Sequence, residues 1–467
     1  MSTTTRPGLR VTPRPLGILA ASLLVVVASY IVSSGTRPPA IAPAAIPSHS
    51  ASAPDLPPPN PPATGASGLV LTRFDRAIAA WRTNVAANPH DYLSATNLGT
   101  TFVGRARLTG DLKDYQRALW AADRAIEIDS TFVAAHILRS SILMAVHDFR
   151  GAIAEARAIR RLDRGNLEAL ATIGDATLEL GKIDEARSAY AQLERRAPTA
   201  PVLSRLAHLA FITGERDRAI KLARQAVESV SGEPASQTTA FYSFQLGELY
   251  RAAGDVHSAE AAYARALADA PTYAAALEGL ARVREAQGRR DEAIALLEQV
   301  AGAQLPDPEL LATIGDLYAL SGDQRAAERL YIRIERMAGA GGRFSYVYDR
   351  QLVLFAADHE RDLADALSRA RADLRRRHDV YAHDALGWVL FKAGRLDEAA
   401  RQAQAALSLG TRDPRLDYHA GMIAAAQRRT SDARRLLTLA VDGEAFLAPL
   451  QVPLAEAALA GLSPSGS

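Results

Sequence analysis

Along most of this chain, apolar and polar positions follow the 3.6-residue beat of amphipathic helices, interrupted by short, evenly placed turns. Within Leu167 to Ala200, the residues Leu170, Ile173, Gly174 and Thr177 share one helical face, and Gly181 ends that helix. Ala186, Tyr190 and Leu193 then mark a second face, and Pro198 closes the unit. The small residues Gly174 and Ala186 let two antiparallel helices approach closely, and Tyr190 fills the wider gap beyond them. A hairpin of this kind cannot bury its outer apolar face alone, so it needs neighbours.

The turn that joins the two helices recurs. "GKIDEARSAY" from Gly181 is echoed by similar phrases from Gly214, Gly254, Gly288, Gly322 and Gly394, each with Ala in sixth place. The intervals are 33, 40, 34, 34 and 72 residues, the last being two units of 36. Filling the gaps by phase finds weaker copies at His147, Arg361 and Arg428. A period near 34 predicts a solenoid of helical hairpins.

The recurring positions resemble the tetratricopeptide repeat (TPR) family. Ala240 to Tyr273 carries Leu246, Gly247, Tyr250, Gly254, Ala259, Tyr263, Ala266 and Pro271, and Pro308 to Gly341 carries Leu311, Ile314, Gly315, Tyr318, Gly322, Ala327 and Tyr331. The resemblance implies an all-α, right-handed α-solenoid of about ten TPR hairpins over residues 92–447. Residues 69–91 form a capping half-repeat, and residues 448–467 a C-terminal capping helix and tail. Three departures from the pattern are expected to be loops or hinges: "GRARLTGDLKD" between the helices of the first unit, "GEPASQTT" around Pro234, and "AGAGG" around Gly341.

The first 68 residues read differently. Residues 1–15 form a basic tail with Arg6, Arg10 and Arg14, and residues 16–33 contain the uncharged run Leu16 to Val32, in which ten of 17 residues are Leu, Ile or Val. Such a run is expected to be a transmembrane helix or signal anchor, with the positive flank cytoplasmic and everything after it outside. A cleaved signal peptide that releases a secreted or periplasmic protein is the alternative. Residues 34–68 hold ten prolines between Arg37 and Ala66 and read as a disordered stalk.

Composition narrows the chemistry. Fifty-four basic against 52 acidic side chains leave a formal net charge of +2, so no overall field draws nucleic acid. The absence of cysteine removes disulfides, thiolate metal sites and thiol nucleophiles. No phosphate-binding loop, G-x-S-x-G elbow or H-E-x-x-H motif occurs, and no enzyme activity, cofactor or metal is expected. His359, His378 and His383 each adjoin an Asp, yet His378 and His383 are five apart and do not share a helical face. They are read as structural, and the arginines between Arg369 and Arg377 as a solvated face.

In the TPR family the first helix of each unit lines a concave groove. Carried onto this chain, that face gives Phe241, Phe244, Glu248 and Arg251 in one unit and His208 and Phe211 in the unit before. Glu309 and Asp316 follow, then Tyr381, Asp384, Trp388, Phe391 and Lys392. Aromatic residues with interleaved charge are the composition of a binding surface. The resemblance thus implies an interaction scaffold of the cell envelope, tethered through the N-terminal helix, whose partner is a protein or peptide. A carbohydrate- or small-molecule-binding protein is the second expectation. Thr96 and Thr100 stand where the chaperone-binding subclass of the family would need Lys and Asn, which disfavours capture of a C-terminal carboxylate.

Overall fold

A computed structural model describes residues 66–303, 307–339 and 343–462. The apolar N-terminal run, the stalk and the break at Gly341 lie outside the described residues. Among the described residues there are 22 α-helices and no strands, and no helix is long and apolar enough to cross a membrane.

Twenty of the helices pair into ten hairpins. They are α2 (Tyr92–Thr109) with α3 (Leu112–Ile128), α4 (Val133–Ala145) with α5 (Phe149–Leu162), α6 (Leu167–Glu179) with α7 (Ile183–Arg196), α8 (Ala200–Ile212) with α9 (Arg216–Ser229), and α10 (Gln237–Ala252) with α11 (Val256–Asp269). The series continues with α12 (Ala274–Ala286) and α13 (Arg290–Ala303), α14 (Pro308–Leu320) and α15 (Gln324–Gly339), α16 (Asp349–Asp358) and α17 (Leu363–Arg376), α18 (Val380–Lys392) and α19 (Leu396–Ala406), and α20 (Pro414–Ala426) and α21 (Thr430–Asp442). The helix α1 (Ala66–Ala87) packs on the first hairpin, and α22 (Gln451–Gly461) on the last.

The repeated glycine is a backbone requirement. Gly181, Gly214, Gly254, Gly288, Gly322 and Gly394 all have positive φ, between 72° and 87°, the left-handed conformation that ends a helix at no Cβ cost. His147 and Arg428 take the same conformation at φ 58° and 60° without being glycine, so the turn geometry outlasts the residue that favours it. In the unit near Arg361 the turn sits one residue earlier, at Glu360, and Asp362 is also left-handed. One extra residue has been accommodated there.

Within hairpins, a tyrosine of the second helix lies against a glycine of the first. A Cβ added at Gly174, Gly247 or Gly315 would come closer than 3.0 Å to Tyr190, Tyr263 or Tyr331 respectively. The first helices are buried on more than one side, ten residues of α8 against four of α9, because they pack on neighbouring hairpins while also facing the interior.

One expected loop is helical instead, and the one around Pro234 is a loop as expected, over residues 230–236. "GRARLTGDLKD" is not a loop: it lengthens α2 to Thr109 and begins α3 at Leu112, with Gly110 as the left-handed cap. The added turn places Arg105 in the core, where it pairs with Asp114 at 2.6 Å and with Asp75 of α1 at 2.5 Å. Around Pro234, α10 begins at Gln237, fixed by a reciprocal capping box between Ser236 and Thr239.

The hairpins coil until the chain meets itself. The turn at Gly181 contacts the carbonyl of His378, that at Gly214 the carbonyl of Gly410, and that at Gly254 the carbonyl of Asp442. In each case the internal turn of hairpin three, four or five meets the join six hairpins further on. Thr411 donates to Ile212 O at 2.5 Å and Arg251 to Ala445 O at 2.8 Å across the same seam. Val380 and Leu416 share a hydrophobic cluster with Leu178, Phe211 and Leu249. Phe344 and Val347, in the short connection before α16, enter the core formed by α1 to α6.

Candidate functional site

Coiling surrounds a lumen that stays partly open to solvent. It consists of two adjoining cavities of about 240 and 200 Å³ whose walls share His208, Glu309, Gln351, Leu354, Tyr381, Arg415 and His419. The first helices of hairpins three to ten all contribute to it, because those helices face inward.

A polar unit repeats along the hairpins, and of its members Glu248, Arg251, Asp316 and His359 line the lumen. Tyr190 donates to Asp175 at 2.8 Å, Tyr263 to Glu248 at 2.5 Å and Tyr331 to Asp316 at 2.9 Å. In each unit the acid follows the small glycine of the first helix and stands 15 residues before the tyrosine. Each acid also meets a basic side chain: Arg205 at 2.9 Å from Asp175, Arg251 at 2.6 Å from Glu248, His359 at 2.9 Å from Asp316. A tyrosine hydroxyl on one side and a basic side chain on the other thus satisfy each carboxylate.

Other groups are less matched. Burial, then Asp307 and Glu309, pushes the Glu278 carboxyl well above its ordinary range. Burial, then Glu309, raises Asp307 to about 6. Burial lowers His208 to about 4, so its ring is neutral at physiological pH. Arg415 pairs with Asp413 at 3.1 Å and lies over the rings of Tyr381 and Phe446. Gln245 donates to Ser204 O at 3.1 Å, while its Oε1 has no partner. The lumen therefore brings aromatic, basic and acidic side chains together along one concave surface.

The structure divides the residues expected to bind. Phe244, Glu248, Arg251, Asp316, Tyr381 and Asp384 line the lumen, as do His208, Phe211 and Glu309. Phe241, Trp388 and Phe391 do not line it. Phe241 is packed in the core around Tyr242 and Tyr263. Trp388 is 1% exposed, stacks on His419 at 4.2 Å and donates its Nε1–H to Asp358 at 2.8 Å, and Phe391 stacks on it at 5.2 Å. These two rings pack within the C-terminal core, where Gln451 of α22 also donates to Asp358 at 3.1 Å.

Sequence reasoning missed Glu278, Arg282, Gln351, Leu354, Arg415, His419 and Phe446 as lining residues. Phe446 belongs to a connection rather than a repeat position, so no family register reaches it. His359 is held by Asp316 and by Phe355 O, and His383 by Gln402 Oε1 at 2.8 Å. Among the described residues no group of three or more His, Asp or Glu is arranged to hold a metal.

A superhelix of two-helix hairpins whose first helices face a shared lumen defines an α-solenoid. Tetratricopeptide-repeat models match residues 198–272, 250–317, 138–201 and 385–446, and the chain belongs to the tetratricopeptide-repeat family. Two curated relatives bear the name cellulose synthase operon protein C. The one from Xanthomonas axonopodis is 36% identical over 27% of this chain and 8% of its own length. The one from Pseudomonas fluorescens is 29% identical over 39% of this chain and 15% of its own. This chain thus spans only a small part of either. Among solved structures, a human IFIT1 dimer bound to m7Gppp-AAAA aligns with a TM-score of 0.45 at 16% identity, covering 73% of this chain and 78% of that one. The Cut9–Hcn1 hetero-tetramer aligns at 0.30 and 13% identity, covering 85% and 94%. Neither likeness carries functional weight.

Proposed function

We propose that the protein is a non-catalytic adaptor that takes an extended segment of a partner polypeptide into the lumen. The carrying observation is that eight inward helices bring aromatic, basic and acidic side chains onto one concave surface. Ligand sites typically run from ~300 to 1,000 Å³, and cavities of 240 and 200 Å³ are far too small for a folded domain. A few extended residues fit, their amides served by unpartnered acceptors such as Gln245 and Gln351. Folded parts of the partner would remain outside.

Gln351 lines both cavities, so Gln351→Trp should block the lumen. Captured polypeptides should be lost in this variant while its helical signal is kept. Full capture by a correctly folded Gln351→Trp protein would move binding to the outer face.

A carbohydrate or small polar molecule is the second reading, favoured by the rings of Phe211, Phe244, Phe355, Tyr381 and Phe446 in the walls. The names of the curated relatives make cello-oligosaccharides the first panel to try; binding that survives peptide competition would favour this reading. We further propose that Leu16 to Val32 anchor the chain with the repeats outside the cytoplasm, supported by the uncharged run and the three arginines before it. Protease protection in intact cells, together with the mass of the mature N-terminus, tests the anchor against a cleaved signal.

A further inference from the structure

A second concavity has the opposite character. A cavity of about 250 Å³ opens where hairpins two and three join, lined by Arg160 of α5, Arg164 and Asn166 of the connection, and Gln192, Arg195 and Arg196 of α7. Four arginines line it and no acidic residue does. None of the four arginines forms an ion pair or hydrogen bond among the described residues. Elsewhere arginines of this fold are widely paired, as Arg187 is with Asp184 at 2.8 Å. The carboxylate beside the cavity, Asp163, is already engaged: it accepts from Gly165 N at 2.9 Å and from the Asn166 amide at 3.3 Å.

Arg160, Arg195 and Arg196 stand in the last turns of their helices, where a cation is favoured by the helix dipole. That explains each arginine alone. It does not explain four around one cavity with no carboxylate in its wall, where like charges repel even though Arg164, Arg195 and Arg196 are exposed to solvent. An anion bound among them removes that opposition.

The number of forks selects the anion. One carboxylate satisfies one guanidinium fork, whereas a phosphate offers several tetrahedrally arranged oxygens and a larger charge. Two of the five large apolar side chains that are exposed among the described residues, Leu162 at 44% and Leu167 at 40%, flank the same connection. An apolar rim beside a phosphate pocket suits a phosphodiester that also carries acyl chains.

We propose that this cavity binds a phosphate group, presented either as a free anion or as the headgroup of an anionic phospholipid. The test titrates the full chain with inorganic phosphate and with monomeric short-chain phosphatidylglycerol, with short-chain phosphatidylcholine as the zwitterionic control. Arg195→Gln/Arg196→Gln should weaken binding about tenfold or more, and Arg195→Lys/Arg196→Lys less, because Lys keeps charge but loses the fork. A pair of exposed arginines on another repeat, Arg325→Gln/Arg329→Gln, should change nothing.

Phosphatidylglycerol binding tighter than phosphate and lost in the same variants assigns the lipid source; equal affinities assign the free anion. If the glutamine pair fails to fold, Arg160→Gln/Arg164→Gln and the lysine pair carry the test. The proposal is overturned by absence of phosphate and phosphatidylglycerol binding at millimolar concentration, by equal loss in the Arg325/Arg329 control, or by a hexaglutamate peptide binding more tightly than either.

Discussion

Two glycines with the same backbone conformation should respond very differently to alanine. Gly214 and Gly288 have φ of 77° and 73°, so each Gly→Ala change forces a left-handed alanine, costing about 1–2 kcal/mol. Reduced freedom of the unfolded chain returns about 0.4–1 kcal/mol, leaving a net loss near 1 kcal/mol at Gly288, where an added Cβ meets nothing within 4 Å. At Gly214 the same Cβ would lie closer than 3.0 Å to the backbone oxygen of Gly410. Backbone cannot swing aside like a side-chain tip, so the seam must open. Opening costs the Thr411 to Ile212 hydrogen bond, about 1 kcal/mol. It also partly re-exposes Leu416, which is 1% exposed in the mixed cluster, for roughly 1–2 kcal/mol more. The expected total at Gly214 is about 3–4 kcal/mol. Urea unfolding followed by circular dichroism should show a clearly lower midpoint for Gly214→Ala than for Gly288→Ala. Deuterium uptake over residues 405–416 should rise in the former alone. Equal midpoints with unchanged uptake would refute the closed superhelix as the source of the difference.

Asp175 is fully buried between Tyr190 and Arg205. Asp175→Ala strands the guanidinium and should cost about 3–5 kcal/mol, whereas Asp184→Ala, in a pair 2.8 Å apart but fully in solvent, should leave the unfolding midpoint unchanged. Burial, then Asp413, raises the Asp417 carboxyl to about 7 from 3.8. With the folded value above the unfolded one, its contribution is complete below about pH 4 and is lost as pH climbs toward 7. Asp417→Asn should therefore match the wild type near pH 4 and exceed it in thermal stability at pH 8; a parallel offset at both pH values would contradict this. Arg251→Ala frees Ala445 O and the ring of Phe446, over which the guanidinium sits at 4.2 Å. Limited proteolysis should then cut faster within residues 443–451, and an unchanged rate would show that this end of the lumen is held by other contacts.

Much of the local architecture was legible because it depends on residues close in sequence. The left-handed turn, the close approach at Gly174 and the filling by Tyr190 are decided within one 34-residue unit, so a glycine and an aromatic at fixed spacing are enough to read them. The pairing of acid and tyrosine was equally available: an acid directly after the helix glycine and 15 residues before a tyrosine recurs at Asp175, Glu248 and Asp316. The first unit misled because an insertion in a repeat usually means a loop. Here Leu108 packs against the core of hairpins six and seven, and Arg105 finds Asp114 and Asp75, so extending the helix satisfies more groups than a loop would.

The lumen required information that no single repeat holds. Family register places Trp388 on an inward face, and in an open solenoid that face would meet solvent. Superhelical closure depends on small rotations accumulated over six hairpins, and each rotation follows from the volumes meeting at one interface. At Gly181, Gly214 and Gly254 the glycine satisfies two demands at once, a left-handed turn and room for a carbonyl from the following superhelical turn; at Gly288, Gly322 and Gly394 only the first applies. The sequence phrase is the same in both sets. What separates them is the partner backbone six hairpins away, and the same distant packing that gives three glycines their second role fills the groove around Trp388 and leaves Gln351, Arg415 and His419 facing the space that remains.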